Sequence, residues 1–387
     1  MEIPISRRFP GSARAWPLVL LACLGFPLAP AALAQTNRIT AAIDPARTVA
    51  LRGNVHAWAR PQDDIGLADP GRTLNHISID FKPDRDQQAE LDKLLADLQD
   101  PSSPGFHAWL TPEQFGDRFG LSPGDLAGVV AWLRNAGFQV TATAAARNWV
   151  AFDGTVATVQ RAFHTQIHEY RAGGETHFAN SSEPSVPAAI APLVTMIAGL
   201  NDFHLRPAAR RIQVNGNAPP EYTNGTTHIL MPDDYAIIYD IRALYNGGWD
   251  GTGQKLVILG ETDIALSDIA SFRSASGLPA IQLQQILVPG VPDPGHVSDP
   301  EAEADLDLEW AGAVARNATI VYVYAPNVME SAQYALSPPK GTALPGPVVS
   351  MSFGGCEAQN GAVLPAWESL VSQANAQGVT LIVSSGD

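Results

Sequence analysis

The chain of 387 residues contains only two cysteines, Cys23 and Cys356. Cys23 lies in an N-terminal apolar stretch that has the features of a removable signal, so Cys356 would remain alone in the mature chain. A single cysteine forms no internal disulfide, which excludes a small disulfide-stabilised scaffold. Because Cys356 directly follows two glycines, we interpret it as a small packing residue rather than a catalytic thiol.

Charged residues are also scarce, and basic residues are the scarcer kind. Charged residues of both signs make up 16% of the chain, and hydrophobic residues make up 45%. This composition is that of an ordinary globular protein of about two or three domains. Lys+Arg 24 against Asp+Glu 39 gives a net charge of −15 at pH 7. A negative protein repels phosphate backbones, so we expect no nucleic-acid partner.

Residues 1–34 are typical of a secretory signal peptide. Three arginines precede the apolar stretch WPLVLLACLGF, and Ala32-Leu33-Ala34 follows as a small-residue cleavage site. Prolines interrupt the stretch, which is shorter than the ~20 residues that a spanning helix needs. We therefore expect cleavage before Gln35, a secreted or periplasmic protein, and no stable membrane association afterwards. Lipidation at Cys23 and twin-arginine export are the alternatives.

Residues 35–205 contain the pattern of an α+β domain, with its core at about 70–205. HISIDFK alternates polar and apolar residues as a half-buried strand does. Apolar residues at 91, 94, 95 and 98 predict a helix, and Ser122 with Pro123 predicts the start of another. The strands FQVTAT and NWVAFD, the helix TVATVQRAF and the strand TQIHEY complete the order of a ferredoxin-like fold.

Residues 206–232 are rich in Pro, Gly, Asn and Arg and predict an exposed, cleavable linker. In residues 233–387 the pattern changes to continuous apolar runs: KLVILG, TIVYVY, VVSMSF and VTLIVSS. Such runs are typical of parallel strands buried on both faces, and helical stretches separate them. The second half therefore predicts a doubly wound parallel α/β sheet, in which ligands bind beyond the carboxyl ends of the strands.

The stretch EAEADLDLEW at 301–310 carries five acids on one predicted helix. With Glu303 at zero on a helical wheel, Asp307 falls near ~40°, Trp310 near about −20° and Val314 near about 20°. We expect this face to pack inward. The other three acids fall on the far side, where we expect water to reach them: Glu301, Asp305 and Glu309.

Two carboxylates at i, i+4 have Cβ atoms roughly 5–6 Å apart. On a partly apolar face their charges resist coexistence, so at least one pKa should be raised, which favours acid–base work. The alternative is a plain helix start, which favours acids through the macrodipole. Neither H-E-x-x-H nor G-x-S-x-G occurs, so the sequence offers no familiar zinc-protease or esterase motif.

From about residue 70 to its end, the chain resembles the sedolisin, or serine-carboxyl peptidase, family of secreted zymogens. In the front half the resemblance rests on DPSSPGFHAWLTPEQFGDRFGLSPGDLAGVVAWLRNAGFQV, which is similar to the pro-kumamolisin-like activation domain. In the second half it rests, in order, on YNGGWDGTGQKLVILGETDI, EADLDLEWAGAVA, VVSMSFGG and SSGD. The resemblance implies an α+β ferredoxin-like prodomain followed by an incomplete α/β subtilisin-like doubly wound parallel sheet.

The family uses a Ser-Glu-Asp triad, and its E-x-x-x-D motif matches Glu303 and Asp307. The resemblance makes Glu303 the general base and Asp307 the residue that orients it. Asp387 matches the oxyanion-hole aspartate, which must keep its proton to donate a hydrogen bond. The strand at Ser352, Phe353 and Gly354 would bind substrate by backbone pairing, with Phe353 where the family often has Trp. Protein or peptide substrates are implied, and a prodomain that docks on its own peptidase domain.

The serine nucleophile and the calcium site of the family both lie C-terminal to the residue that matches Asp387. Calcium is thus the cofactor that the resemblance implies, and its ligands would lie beyond this chain, which itself offers no metal ligands. We expect the chain to be a fragment of an acid endopeptidase zymogen, inactive without a nucleophile. The alternative is a front domain that acts alone as a peptidase inhibitor or chaperone. A glycosidase with two carboxylates is a third hypothesis, weakened because such carboxylates usually come from different elements.

Overall fold

The computed structural model describes residues 35–203, 205–207, 222–224, 227–357, 361 and 363–385. The signal-peptide prediction for residues 1–34 and most of the predicted linker fall outside these residues. Residues 35–203 contain nine strands: β1 Thr48–Ala50, β2 Asp64–Leu67, β3 Thr73–Phe81, β4 Gln139–Thr143, β5 Trp149–Thr155, β6 Ile167–Ala172, β7 Glu175–Asn180, β8 Ser185–Pro187 and β9 Val194–Ala198. Their α-helices are α1 Arg85–Gln99, α2 Pro112–Phe119, α3 Pro123–Asn135 and α4 Val156–Phe163.

The central sheet of the front half has four antiparallel strands in the order β4-β5-β3-β9. Helices α3 and α4 pack on one of its faces, where Ile77, Ile79 and Phe152 are fully buried. Ser122 caps α3 as predicted, because its Oγ accepts a hydrogen bond from the Asp125 backbone N–H at 3.0 Å.

Two expectations for the front half were wrong. The predicted strand TQIHEY exists as β6, but it joins β2 and β7 in a separate three-stranded sheet, and β9 takes the fourth place in the central sheet. The polar face of β3 is also buried rather than solvated: Ser78 is 1% and Asp80 9% exposed. The alternating pattern predicted the strand correctly and could not show that a second layer covers its polar side.

The remaining strands are β10 Arg206–Pro207, β11 Tyr222–Asn224, β12 Thr227–Ile229, β13 Lys255–Gly260, β14 Gln282–Leu287, β15 Thr319–Tyr324, β16 Val348–Met351, β17 Phe353–Gly354 and β18 Thr380–Val383. The remaining helices are α5 Pro232–Ile238, α6 Ile241–Asn246, α7 Leu266–Ala275, α8 Ser298–Val314, α9 Val328–Leu336 and α10 Leu364–Ala376. Within the predicted linker, β11 and β12 pair antiparallel.

The predicted parallel sheet is confirmed, with the strand order β14-β15-β13-β16-β18 and helices on both faces. Helices α9 and α10 bury one face, which includes Leu259 and Met351. Helix α8 buries the other face, which includes Ile258 and Tyr322. Strand β14 was missed by the sequence analysis because its sequence, QLQQIL, is not a continuous apolar run.

The predicted front domain (residues 35–205) packs directly on helices α9 and α10. The Trp149 indole N–H donates to the Ser337 carbonyl at 3.0 Å, and the Asn148 amide donates to Gln373 at 2.8 Å. The Gln333 amide donates to the Asp80 carboxylate at 2.8 Å. Since these groups are buried, each hydrogen bond satisfies a polar atom that would otherwise be costly to remove from water.

Candidate active site

Helix α8 places Glu303 and Asp307 one turn apart, next to the carboxyl end of β16. Glu303 is buried, with 5% of its surface exposed, and Asp307 is half-buried. Ser352 follows β16 directly, and its hydroxyl donates to Asp307 Oδ1 at 2.8 Å. The structure therefore brings Asp307 together with Ser352, and it turns both carboxylates of the acid pair (Glu303 and Asp307) away from bulk water.

The electrostatics of Asp307 are those of a carboxyl group that holds its proton unusually well. Burial and, to a smaller extent, the charge of Glu303 raise its pKa, the hydrogen bond from Ser352 lowers it, and the net result is a pKa of about 7. Its second oxygen, Oδ2, is buried and has no hydrogen-bond partner among the described residues. A site of this kind can hold or release one proton near neutral pH.

The orientation of α8 differs from the predicted one. Its core-facing stripe is formed by Ala304 and Leu308, which pack against the sheet together with the helix's smaller residues. Trp310 instead contacts the rings of Tyr235 and Phe272, and Val314 is 37% exposed. Small residues let the helix approach the sheet closely. The acid pair therefore lies beside the buried stripe of Ala304 and Leu308, and Trp310 does not form part of that stripe.

The three far-side acids are not simply solvated, which corrects the sequence prediction. Burial, together with the charges of Asp305 and Asp268, raises the pKa of Glu309 to about 8. Glu301 lies 2.8 Å from the His296 ring nitrogen Nδ1 and has partly buried surroundings. Helix α7 covers this side of α8, which a wheel drawn for one helix does not show.

A second pair of buried carboxylates, Glu261 and Glu330, was missed by the sequence analysis. Glu261 follows β13 and is 5% exposed, and its Oε1 accepts a hydrogen bond from the Val328 backbone N–H at 2.7 Å. Burial raises the pKa of Glu261 to about 8. Burial and the charge of Glu261 together raise the pKa of Glu330 to about 8 as well. The signal for Glu261 was available, since it ends an apolar strand at the carboxyl edge of the sheet.

The predicted substrate strand, β17, already pairs with a segment of the same chain. Arg206 and Pro207 form β10, which is antiparallel to β17 with Arg206 opposite Gly354 and Pro207 opposite Phe353. The Phe353 side chain is 1% exposed and belongs to the core, so it faces away from a peptide on this strand. Gly354 is exposed, and a Cβ atom there would meet nothing within 4 Å. Asp387 lies outside the described residues.

No helix that the structure describes has both the length and the apolarity to cross a bilayer. Within the described ranges, no group of three or more His, Cys, Asp and Glu side chains is arranged as a metal site.

Comparisons with known proteins match both halves of the chain. Residues 63–203 match the family "Pro-kumamolisin, activation domain". Sedolisin of Pseudomonas sp. is 26% identical over 320 residues, which cover 81% of this chain and 54% of that protein. Kumamolisin of Bacillus sp. is 27% identical over 314 residues, covering 76% and 54%. Tripeptidyl-peptidase 1 of Homo sapiens is 26% identical over 339 residues, covering 84% and 57%.

The chain thus spans about half the length of these curated relatives. A solved structure of Pseudomonas sedolisin, a serine-carboxyl proteinase complexed with two molecules of pseudo-iodotyrostatin, matches with a TM-score of 0.35 and 24% identity. That match covers 44% of this chain and 46% of the other. The front half of the chain thus matches an activation domain, and the longer matches make the chain similar to three sedolisin-type peptidases.

Proposed function

We propose that the protein is the precursor of a secreted, acid-acting serine-type endopeptidase in which Glu303 is the general base. The observation that carries the proposal is the buried acid pair beside β17. A base that works in acid must be ionised while the pH is low, and a carboxylate meets this condition better than imidazole, whose ordinary pKa is about 6.5. The charge that Glu303 exerts on Asp307 supports a pair that shares one proton.

In this proposal Asp307 orients Glu303. It also helps to stabilise the proton that Glu303 accepts from the serine. Asp387 would donate a hydrogen bond to the tetrahedral oxyanion, a contribution that is worth ~10²–10³ in rate for one donor. The serine that Glu303 would activate follows Asp387 in the family, and so would the calcium ligands that the family uses. No step proposed for the described residues involves a metal.

The antiparallel pairing of β10 with β17 supports a peptide-binding role for this strand. An extended peptide that adds to an exposed strand gains main-chain hydrogen bonds whatever its sequence. Ser352 and Gly354 flank the buried Phe353, so the backbone of β17, rather than the Phe353 side chain, would bind the substrate. The chain segment at 206–207 therefore occupies the place that we assign to a substrate and would keep the precursor inactive.

The front domain would act as the activation domain. Its four-stranded sheet has the order that a ferredoxin-like fold has, with β3, β4, β5 and β9 as its four strands. Its buried hydrogen bonds to α9 and α10 support a domain that docks on its own peptidase half. We further propose a subtilisin-like second half and export through residues 1–34.

The test uses the precursor expressed from its complete reading frame. Glu303→Gln should abolish self-processing at pH about 4, because the amide cannot accept the serine proton. Glu309→Gln is the matched control, since Glu309 is a partly buried acid on the same helix, and it should still process. Gel analysis and N-terminal sequencing should place the new end within residues 206–232.

Normal maturation of the Glu303→Gln precursor would show that another group is the base. A mature end inside the front domain would contradict the proposed boundary. If the complete reading frame encodes no serine after Asp387 and the purified front domain inhibits an acid peptidase, the inhibitor hypothesis replaces the present one.

A further inference from the structure

Ser352 faces the acid pair rather than the peptide side of its strand. Its neighbours Met351 and Phe353 are both buried in the core beneath α9 and α10. Because side chains alternate along an extended chain, Ser352 lies on the opposite side, where α8 packs. There its Oγ donates to Asp307 Oδ1 at 2.8 Å.

A hydroxyl has only one hydrogen to donate, and in Ser352 this hydrogen is committed to Asp307. The other ionisable groups that act on Asp307 are Glu303 on the same helix and Tyr322 on β15. The Tyr322 hydroxyl donates to the Thr262 carbonyl at 2.8 Å, so its own hydrogen is also committed elsewhere. Among the described residues, the Ser352 hydroxyl is thus the group that donates a hydrogen bond to the Asp307 carboxylate.

We propose that Ser352 is a positioning residue of the acid pair: its hydroxyl fixes Asp307 Oδ1 and stabilises the ionised form of the Asp307 carboxylate. This inference rests on the proposed function only where it treats the pair as a base. The substrate contact first assigned to Ser352 then belongs to its backbone alone.

The sign of the effect follows from which form the hydrogen bond favours. A donor to a carboxylate stabilises the ionised form and lowers the pKa, whereas burial and the charge of Glu303 raise it. Removing the Ser352 hydroxyl should therefore raise the pKa of Asp307 by roughly one unit, as expected for one charge-assisted hydrogen bond in a half-buried site.

The test is a carboxyl titration of the full chain labelled with ¹³C at aspartate Cγ, with the Asp307 signal assigned by its loss in Asp307→Asn. Ser352→Ala should move the Asp307 midpoint upward by about one pH unit. Ser352→Thr should restore the wild-type midpoint, and Ser352→Cys, a weaker donor, should give an intermediate one. If the alanine variant does not fold, the threonine and cysteine variants carry the comparison.

Ser350→Ala is the matched control, because Ser350 lies two residues earlier on the same face of the same strand. It should leave the midpoint unchanged. An unchanged midpoint in Ser352→Ala, or an equal shift in Ser350→Ala, would overturn the proposal. Since the titration needs no peptidase activity, its outcome is separate from that of the Glu303→Gln processing experiment, which tests the proposed function.

Discussion

Asp80 provides a direct test of how the front domain is held on the second half. It lies on β3 at the contact with α9, where the Ser78 hydroxyl and the Gln333 amide both donate to its carboxylate, at 2.9 and 2.8 Å. Burial raises its pKa and the two hydrogen bonds lower it only in part, so that the pKa moves from the ordinary 3.8 to about 7. We therefore expect Asp80 to be protonated in the folded protein at mildly acidic pH.

The magnitude follows from proton linkage. Below pH 3.8 both the folded and the unfolded chain hold the proton, so the stability that depends on it is fully present. As the pH rises to about 7, only the unfolded chain releases the proton, and the free energy of unfolding falls. At ~1.4 kcal/mol per pH unit, the loss over this interval is about 4 kcal/mol. The contact between β3 and α9 should thus be most stable in acid.

Asp80→Asn removes the ionisation and keeps the shape, and an amide can still accept from Gln333. The free energy of unfolding would be measured by urea titration with tryptophan fluorescence at pH 4, 5.5 and 7. The variant should become more stable relative to wild type as the pH rises, by up to about 4 kcal/mol between pH 4 and 7. Asp86→Asn, on the exposed surface of α1, is the control and should follow wild type at every pH. Parallel pH dependences for Asp80→Asn and wild type would refute the reasoning.

Other predictions concern burial and packing. Glu309→Gln should raise the thermal midpoint more at pH 8 than at pH 5, because burial raises the pKa of Glu309 to about 8 and its charged form is destabilising in the fold; an equal change at both pH values would contradict this. Trp149→Phe should cost about 1–2 kcal/mol in urea unfolding by leaving the Ser337 carbonyl without its donor, and no measurable change would mean that water replaces the indole. Gly260→Ala should lower the thermal midpoint because the new Cβ would overlap the Tyr322 hydroxyl; adding Tyr322→Phe should recover part of the loss, and no recovery would indicate a different clash.

Local patterns decided much of the fold. Continuous apolar runs correctly predicted β13 and β15, because strands buried on both faces need apolar residues at every position, and they also predicted β16 and the edge strand β18, in which Ile382 is 55% exposed. Ser122 followed by Pro123 correctly predicted the start of α3, since capping depends on residues within one turn. The i, i+4 spacing also placed Glu303 and Asp307 on one side of α8, and the structure turns both away from bulk water.

What the sequence by itself determined is therefore the order of elements, their periodicity and the pairing of two acids on one helix, all of which depend on near neighbours in the chain. Only the tertiary structure decided that Ser352 bonds Asp307, that α7 covers Glu309 and that α9 covers Asp80. The hydrogen bonds from Ser352 to Asp307 and from Gln333 to Asp80 each join residues that are 45 or more positions apart in the chain. Whether a carboxyl group meets water or a protein layer depends on such distant partners, and so its proton affinity is a property of the assembled fold.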